Sequence, residues 1–502
     1  MCIMLLKDLL SRLDYYITEG NSSKILGPDK INICAVVNNS QSICAGCLYM
    51  CIKGSSFDGH DMAYEAAMEG ASAILVEHAV KLPQNCKTPI VHVTDSRIAM
   101  ANISAAWFGH PAEHITTIGV TGTKGKTTTT YLIKSILENS GYKVGLIGTI
   151  ETVIGDKHIP SQNTTPESYL LQMYMQEMID IGCNCVVMEV SSQALKLHRC
   201  DGFTFDIGVF TNLEPDHIGP KEHETFEEYL FCKSLLFQHC RLGILNIDDS
   251  HFEEILTNHT CEVQTFGLNS KADFCAYDIS MFSEPGKLGI AFKTKGKENL
   301  TLELPTPGMF SVYNALAATA VAHQFNCPSN NIKEALKYTT VNGRFEVISV
   351  DNRYNIIIDY AHNAMALQNV LKTLKEYKPK RLICIFGCGG NRSKLRRYEM
   401  GEVSGKLADI SIITTDNPRF EDPLEIIKDI EESISKTGGK YISIPDRRKA
   451  IAYAMENSQE GDVILICGKG HEPYEEIKGI RYHYNDKEEV NSILKGNHKA
   501  DI

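Results

Sequence analysis

The chain has 502 residues, 43% of them hydrophobic and 22% charged, with a formal net charge of −12. That length is too great for one hydrophobic core and implies about three domains, while the composition is globular and no apolar run is long enough to span a bilayer. The acidic balance, with no basic stripe, excludes a nucleic-acid backbone as the expected partner, so any phosphate must be gripped locally by loops and a few Lys or Arg.

The segment Met1–Leu10 is apolar but short, carries Lys7 and Asp8, and lacks a small-residue cleavage site. It reads as a first helix and not as a signal peptide. The 17 cysteines are scattered through apolar segments such as Cys183-Asn-Cys185 and Cys384, which suits reduced, buried thiols in a reducing cytosol. Cys44-Ala-Gly-Cys47 has the spacing of a metal or redox pair, but no second pair or nearby His cluster completes it.

Short β-branched runs alternate with glycine- or Asp/Asn-bearing loops and amphipathic helices, the pattern of α/β layers on mainly parallel sheets. Residues 1–96 form a first block, with strands expected at Ile33–Val37, Leu48–Ile52, Ala73–Val76 and Ile90–Val93. A central block, 97–346, carries strands at Ile115–Val120, Cys185–Val190, Phe205–Thr211 and Gly243–Ile247. A third, 347–502, carries Ile356–Tyr360, Leu382–Phe386, Ile410–Thr414 and Val463–Cys467. The central block is expected to be a P-loop-type parallel-sheet domain and the third a Rossmann-like one. In these two blocks Gly122, Glu189, Asn212, Asp359, Gly387, Asp416 and Gly468 all follow apolar runs. Open α/β sheets bind ligands at the carboxyl ends of their strands, so a cleft between the two blocks is the expected active site.

The strongest local signal is Val120-Thr-Gly-Thr-Lys-Gly-Lys-Thr-Thr128, between a strand and a helix with Leu132, Ile133, Ile136 and Leu137 on one face. Glycines let backbone N–H groups turn toward phosphate oxygens, and the helix N-terminus adds favourable partial charge. Lys126 would reach the β- and γ-phosphates and the Thr127 hydroxyl would bind Mg²⁺. Val120 stands where this motif usually has glycine. Glu189, closing the run Cys185-Val-Val-Met, is placed either for Mg²⁺ or as a capping or solvated acid. Lys233 lies on the apolar stripe Phe226, Tyr229, Leu230, Leu236 and Phe237. It either snorkels to the helix edge or is held near metal and phosphate. His217, in Asn212-Leu-Glu-Pro-Asp-His217, is a second metal ligand or a structural loop histidine.

Taken in order, these segments resemble the Mur ligases, and within them the UDP-N-acetylmuramoyl-tripeptide synthetases of the MurE type. The resemblance spans nearly the whole chain. It rests on the phosphate loop, Asn163-Thr-Thr-Pro-Glu167, Met188-Glu-Val-Ser-Ser-Gln-Ala-Leu195, Phe210-Thr-Asn-Leu-Glu-Pro-Asp-His217 and Lys233 with Leu235-Leu-Phe237. It continues through Asn246-Ile-Asp-Asp249, Gly308-Met-Phe-Ser-Val-Tyr-Asn314, Asn342-Gly-Arg-Phe-Glu346 and Asp359-Tyr-Ala-His362. It ends with Gly387-Cys-Gly-Gly-Asn-Arg392, Asp416-Asn-Pro-Arg419 and Gly468-Lys-Gly-His-Glu472.

The resemblance implies ATP held by Gly122, Thr123, Lys124, Gly125, Lys126, Thr127 and Thr128, with Asn314 at adenine, Arg344 at a nucleotide phosphate and Asp359 at ribose. It implies two Mg²⁺ ions, with Thr127, Glu189, His217 and a CO₂-derived carbamate on Lys233 linked to metal. Lys126, Glu189, His217 and Lys233 are the implied catalytic set. Ser40 would contact uridine; Asn163, Thr164, Thr165, Ser191 and Arg199 would contact the UDP-muramoyl peptide. Arg392, Asp416, Asn417, Pro418, Arg419, Gly468 and Glu472 would select the incoming amino acid. The Asp-Asn-Pro-Arg form resembles ligases that add meso-diaminopimelate, whose far carboxylate suits an arginine fork; by this resemblance Arg419 and Arg392 would be the forks and Glu472 the ammonium acceptor.

The sequence departs from the family pattern at Asn39 and Gln41 around Ser40, at Leu197, at Asn391 and Ser393 around Arg392, and at Lys124. The implied protein is a cytoplasmic, monomeric ligase acting on small molecules. It would add the third amino acid to UDP-N-acetylmuramoyl-L-alanyl-D-glutamate through an acyl phosphate, in peptidoglycan precursor synthesis. The alternatives are the same ligation with L-lysine or another diamino acid, a folylpolyglutamate synthetase-like ligase, and a non-catalytic nucleotide-binding protein.

Overall fold

A computed structural model describes residues 3–54, 57–216, 218–219, 222–284, 287–350 and 353–496. The chain forms two compact units, Met1–Phe266 and Gly267–Ile502.

The first unit opens with a five-stranded sheet in the order Tyr16–Glu19, Pro89–His92, Ala73–Val76, Cys47–Met50, Ala35–Val37. The last four are parallel and the first is an antiparallel edge. Cys47–Met50 and Ala73–Val76 are buried at every position, as central strands covered on both faces must be. Helix Ser96–Trp107 starts where Asp95 Oδ1 accepts the N–H groups of Arg97 and Ile98. It buries Ala99, Met100 and Ile103 against Leu48, Leu75 and Val91. The N-terminal segment corrects expectation: only Leu6–Leu9 is helical, because Met4–Leu5 pairs with Asn32–Ile33 as a short antiparallel ladder.

The same unit carries the parallel strands Val144–Ile147, Cys185–Glu189, Thr116–Thr121, Phe205–Phe210, Cys240–Asn246 and Glu262–Gly267, adjacent in that order. Two antiparallel strands, Glu151–Ile154 and Lys157–Pro160, extend its edge beyond Val144–Ile147. The central pair Cys185–Glu189 and Thr116–Thr121 is in register from Cys185 against Thr116 to Glu189 against Val120. That register sets Glu189 beside the start of the glycine loop.

The second unit contains an antiparallel meander, Phe274–Glu284, Lys287–Gly296 and Thr301–Leu304. Helix Met309–Gln324 follows, buried over most of its surface and rich in alanine. A six-stranded sheet runs Glu346–Val350, Tyr354–Asp359, Val463–Cys467, Leu382–Phe386, Ile410–Ile413, Tyr441–Ser443. Five of these strands are parallel and Glu346–Val350 is an antiparallel edge. The protein is of the α/β class. Among the described residues no helix is long and apolar enough to cross a membrane.

Candidate active site

At the end of strand Thr116–Thr121 the chain turns through Gly122, with φ of 145°, and Gly125, with φ of 84°. A Cβ on Gly122 would lie 2.0 Å from Thr211 Oγ1, so only glycine lets the two loops meet. Helix Lys126–Asn139 then begins with Gly125 at its N-cap and no side-chain cap, the arrangement in which an anion can serve as the cap. Lys126 folds back over the loop, its Nζ donating to Gly122 O at 2.8 Å and Thr123 O at 3.0 Å. Lys124, an added charge in this loop, is neutralised: its Nζ lies 2.7 Å from Glu214 Oε2. Asn212 Oδ1 accepts the Lys124 N–H.

Glu189 is buried and fully engaged. Its Oε2 accepts the hydroxyls of Thr127 and Thr149, each at 3.0 Å, and its Oε1 accepts the Thr149 N–H at 2.7 Å. A hydroxyl and a carboxylate are thus side by side at the phosphate loop. This all-oxygen donor set fits a hard divalent cation such as Mg²⁺.

Lys233 does not snorkel. It is 1% exposed, its Nζ donates to Gly122 O at 2.8 Å, and it stands 4.6 Å from the Tyr229 ring centroid. The Tyr229 hydroxyl is 3.0 Å from Thr123 Oγ1. Burial, and then the neighbouring Lys126 charge, depress the Lys233 pKa well below its usual value. His217 lies outside the described residues.

Four of the residues expected at the muramoyl peptide converge on Glu189. Thr164 Oγ1 is 3.1 Å from Thr149 Oγ1, and Thr165 Oγ1 donates to Glu189 O at 2.9 Å and accepts the Ser191 N–H at 3.1 Å. Arg199 donates to Thr165 O at 2.8 Å and pairs with Glu167 at 2.6 Å. Asn163 is exposed immediately before Thr164. Ser40 is elsewhere, half-buried in the turn Ser40–Ser42 of the first sheet, which Asn39 caps by accepting the Gln41 N–H.

In the second unit Asn314 is buried in helix Met309–Gln324. Arg344 lies 4.6 Å from the Tyr360 ring centroid. Asp359 ends its strand with Oδ2 accepting the Phe345 N–H and Oδ1 the Ala361 N–H, both at 2.9 Å. Burial raises the Asp359 carboxyl and the Arg344 charge opposes that rise.

The strand ends of the six-stranded sheet bring together the residues expected to choose an amino acid. Asn417 Nδ2 donates to Glu472 Oε2 at 2.9 Å, and Tyr360 donates to Glu472 Oε1 at 3.3 Å. Asn417 Oδ1 accepts from Lys469 Nζ and from the Glu476 N–H, both at 2.9 Å. Those two donors fix which way the amide faces. Burial, then Asp416, raise the Glu472 carboxyl. A Cβ on Gly468 would come 2.3 Å from Asp416 Oδ2. Arg419, a quarter exposed, donates through Nη1 to Gly390 O at 2.7 Å, and its Nε is 3.5 Å from Glu476. Arg392 is exposed, and Pro418 is buried between its neighbours in the loop.

Thr149, Tyr229, Tyr360 and Lys469 are site residues that sequence reasoning missed. Thr149 had a readable signal, because Gly148-Thr149 ends the apolar run Val144–Ile147 as Gly122 ends its own. Lys469 and Tyr360 sit inside motifs already singled out. The role of Tyr229 depends on a packing contact that helix periodicity reads only as core.

Three descriptions of one family match the chain in order. "Mur ligase family, catalytic domain" covers residues 32–108, "Mur ligase middle domain" 120–322, and "Mur ligase, glutamate ligase domain" 343–470. The UDP-N-acetylmuramoyl-L-alanyl-D-glutamate--2,6-diaminopimelate ligase of Caldanaerobacter subterraneus subsp. tengcongensis is 42% identical over 477 residues, 95% of this chain and 98% of that protein. Its namesake from Clostridium perfringens is 38% identical over 502 residues, 98% of this chain and all of that protein, a 100% share. A solved structure of a ligase of the same description superposes with a TM-score of 0.71 at 27% identity, over 99% of this chain and 100% of that one. MurF ligase from Thermotoga maritima in complex with ADP shares the fold, with a TM-score of 0.58 at 20% identity over 92% of this chain and 98% of that one. With its phosphate loop and carboxylate at adjoining strand ends, a buried helix lysine against that loop, and these matches along its length, the chain belongs to the Mur ligase family of ATP-dependent, amide-bond-forming ligases.

Proposed function

We propose that the chain adds meso-2,6-diaminopimelate to UDP-N-acetylmuramoyl-L-alanyl-D-glutamate, as its relatives' names describe, in peptidoglycan precursor synthesis. The observation that carries the chemistry is the buried Lys233 against the phosphate loop, beside Lys126 and in the same unit as Thr127 and Glu189. The choice of amino acid is supported by Arg419, Asn417 and Glu472 on adjoining loops. The same reading takes the chain as a cytoplasmic monomer of three domains, 1–96 for the UDP-muramoyl substrate, 97–346 for ATP and 347–502 for the amino acid.

A carboxylate is a poor electrophile, so it must first gain a leaving group. The D-glutamate γ-carboxylate oxygen attacks the γ-phosphorus of ATP, the bond from that phosphorus to the β–γ bridging oxygen breaks, and ADP departs. The diamino-acid amine then attacks the acyl carbon, gives up a proton, and the acyl C–O bond breaks to release phosphate. Lys126 and the N–H groups of its loop hold the charge that builds on the transferred phosphoryl. Mg²⁺, bound by Thr127 and Glu189 and at a second position by Lys233 and His217, would supply further neutralisation of that charge. Burial leaves the Lys233 amine prone to be neutral, the form that adds CO₂; the new N–C bond forms, one proton passes to solvent, and the neutral amine becomes a carbamate anion whose oxygens could hold metal. Thr164, Thr165, Ser191 and Arg199 orient the acceptor beside Glu189.

The test is phosphate release with UDP-N-acetylmuramoyl-L-alanyl-D-glutamate and Mg-ATP, adding meso-diaminopimelate, L-lysine or L-ornithine in turn. Release dependent on the dipeptide and confined to diaminopimelate is the expected result. Preference for a diamine with one carboxylate overturns the specificity, and no release with any of them overturns the reaction.

A further inference from the structure

Two loops carry the arginines expected to meet the incoming amino acid, and an ion pair between a buried arginine and a half-buried glutamate joins both. Residues 387–393 follow strand Leu382–Phe386 and carry Arg392; residues 414–422 follow strand Ile410–Ile413 and carry Arg419. They are in close contact. Gly390 N donates to Asn417 O at 2.9 Å, Arg419 Nη1 donates to Gly390 O at 2.7 Å, and a Cβ on Gly390 would lie 1.9 Å from Pro418 O. Asn391 and Arg419 both occupy the left-handed backbone region, with φ of 55° and 53°. Non-glycine residues are strained in this region and persist there only where the surrounding structure over-determines them.

Here the surroundings do so. Arg397, in helix Lys394–Leu407, is 1% exposed. Its Nη2 donates to Glu421 Oε2 at 2.7 Å and its Nη1 to Asp429 Oδ2 at 2.8 Å, in helix Pro423–Ile434. Glu421 Oε1 accepts the Asn391 N–H, and Asn391 Oδ1 accepts the Phe420 N–H at 3.1 Å. The Arg397 hydrogen bond, then that from Asn391, hold the Glu421 carboxyl below its usual range, so it is charged at neutral pH. One carboxylate, two residues after Arg419, therefore ties the residue before Arg392 to a buried arginine in the helix that follows that loop.

We propose that Arg397 and Glu421, acting through Asn391, are positioning residues that fix the spacing of Arg392 and Arg419 and thereby select an amino acid with a second, distal carboxylate. This rests on the reading that the enzyme takes diaminopimelate. Neither residue touches substrate. Their effect is to remove the freedom of the two arginine-bearing loops before the ligand arrives, so that its far carboxylate meets a preformed pair of donors. The amide oxygen of Asn391 serves this function by accepting the Phe420 N–H.

The test is Glu421→Gln in the full-length enzyme, with Arg397→Lys as the second variant because it keeps the buried charge. For each, KM is measured for diaminopimelate, ATP and the UDP-dipeptide, and kcat/KM for diaminopimelate is compared with that for L-lysine. The expected result is a rise of about tenfold in the diaminopimelate KM and a similar fall in its preference over lysine. The other two KM values should stay within about twofold. A folded variant whose three KM values move together, or whose preference is unchanged, overturns the proposal and leaves the ligase reading intact. A wild-type enzyme without diaminopimelate-dependent release overturns both.

Discussion

Lys233 sits in an environment at odds with its chemistry. A primary amine 1% exposed, with Lys126 near it, is held toward its neutral form. The linkage has a definite sign. Where the folded pKa of a lysine is depressed, the unfolded chain binds the proton more tightly, so this group destabilises the fold below its unfolded pKa of about 10.4 and the penalty shrinks as pH rises toward that value. Lys233→Met, similar in volume and without the amine, should therefore raise unfolding stability at neutral pH and flatten its rise between pH 7 and 10. Urea denaturation of the unliganded, bicarbonate-free protein measures this, and a wild-type stability that falls across that window contradicts the assignment. The same variant should be without measurable ligation at any bicarbonate concentration, because no amine remains to take up CO₂; near-normal turnover would remove Lys233 from the mechanism.

Among elements, the end of the six-stranded sheet depends on a buried pair. Arg447 begins helix Arg447–Glu456 and Asp486 begins helix Asp486–Leu494. Their side chains meet in two hydrogen bonds, at 2.7 and 2.8 Å, while Arg447 Nη2 also donates to Cys467 O at 2.9 Å. Asp486 is 0% exposed, so removing Arg447 strands a buried carboxylate. Arg447→Ala should cost about 3–5 kcal/mol of stability, since breaking a buried pair leaves one charge uncompensated. A loss below about 1 kcal/mol in denaturant melts would mean that water or rearrangement satisfies Asp486. Cys467 directly precedes Gly468, so the same variant should weaken the loop that holds Glu472.

At the scale of the whole molecule, the phosphate-binding and amino-acid-choosing loops belong to separate sheets, each at the carboxyl ends of its own parallel strands. The phosphate loop and Glu189 belong to one sheet, and Asp416, Arg419, Gly468 and Glu472 to another. Sets with no shared hydrogen-bond partners should respond independently to mutation. Arg419→Ala should raise the diaminopimelate KM about 10- to 100-fold, the loss of a charge-assisted hydrogen bond, and leave the ATP KM within about twofold. Arg419→Lys should fall between, because an ammonium keeps charge but not the planar fork. Steady-state titration of each substrate separates these outcomes, and equal shifts in both KM values would sink the argument from separate sheets.

The sequence by itself determined the α/β class, most of the parallel strands and the phosphate loop. Apolar runs that end in Gly, Glu or Asp carry strand, strand end and site residue in consecutive positions, as at Val120 to Lys126 and Cys185 to Glu189. Antiparallel edges such as Lys157–Pro160, Tyr16–Glu19 and the 274–304 meander were not legible, because half-exposed strands lack the continuous apolar signal of buried ones. Only the tertiary structure decided between snorkelling and burial for Lys233, between solvation and a hydroxyl-bonded site for Glu189, and which side chains stand behind Arg392 and Arg419. Each of those depends on groups far apart in the chain, Lys233 on Gly122, Glu189 on Thr127 and Thr149, Arg397 on Glu421 and Asp429. Local spacing fixes which face a residue occupies, but not what the rest of the chain places against it.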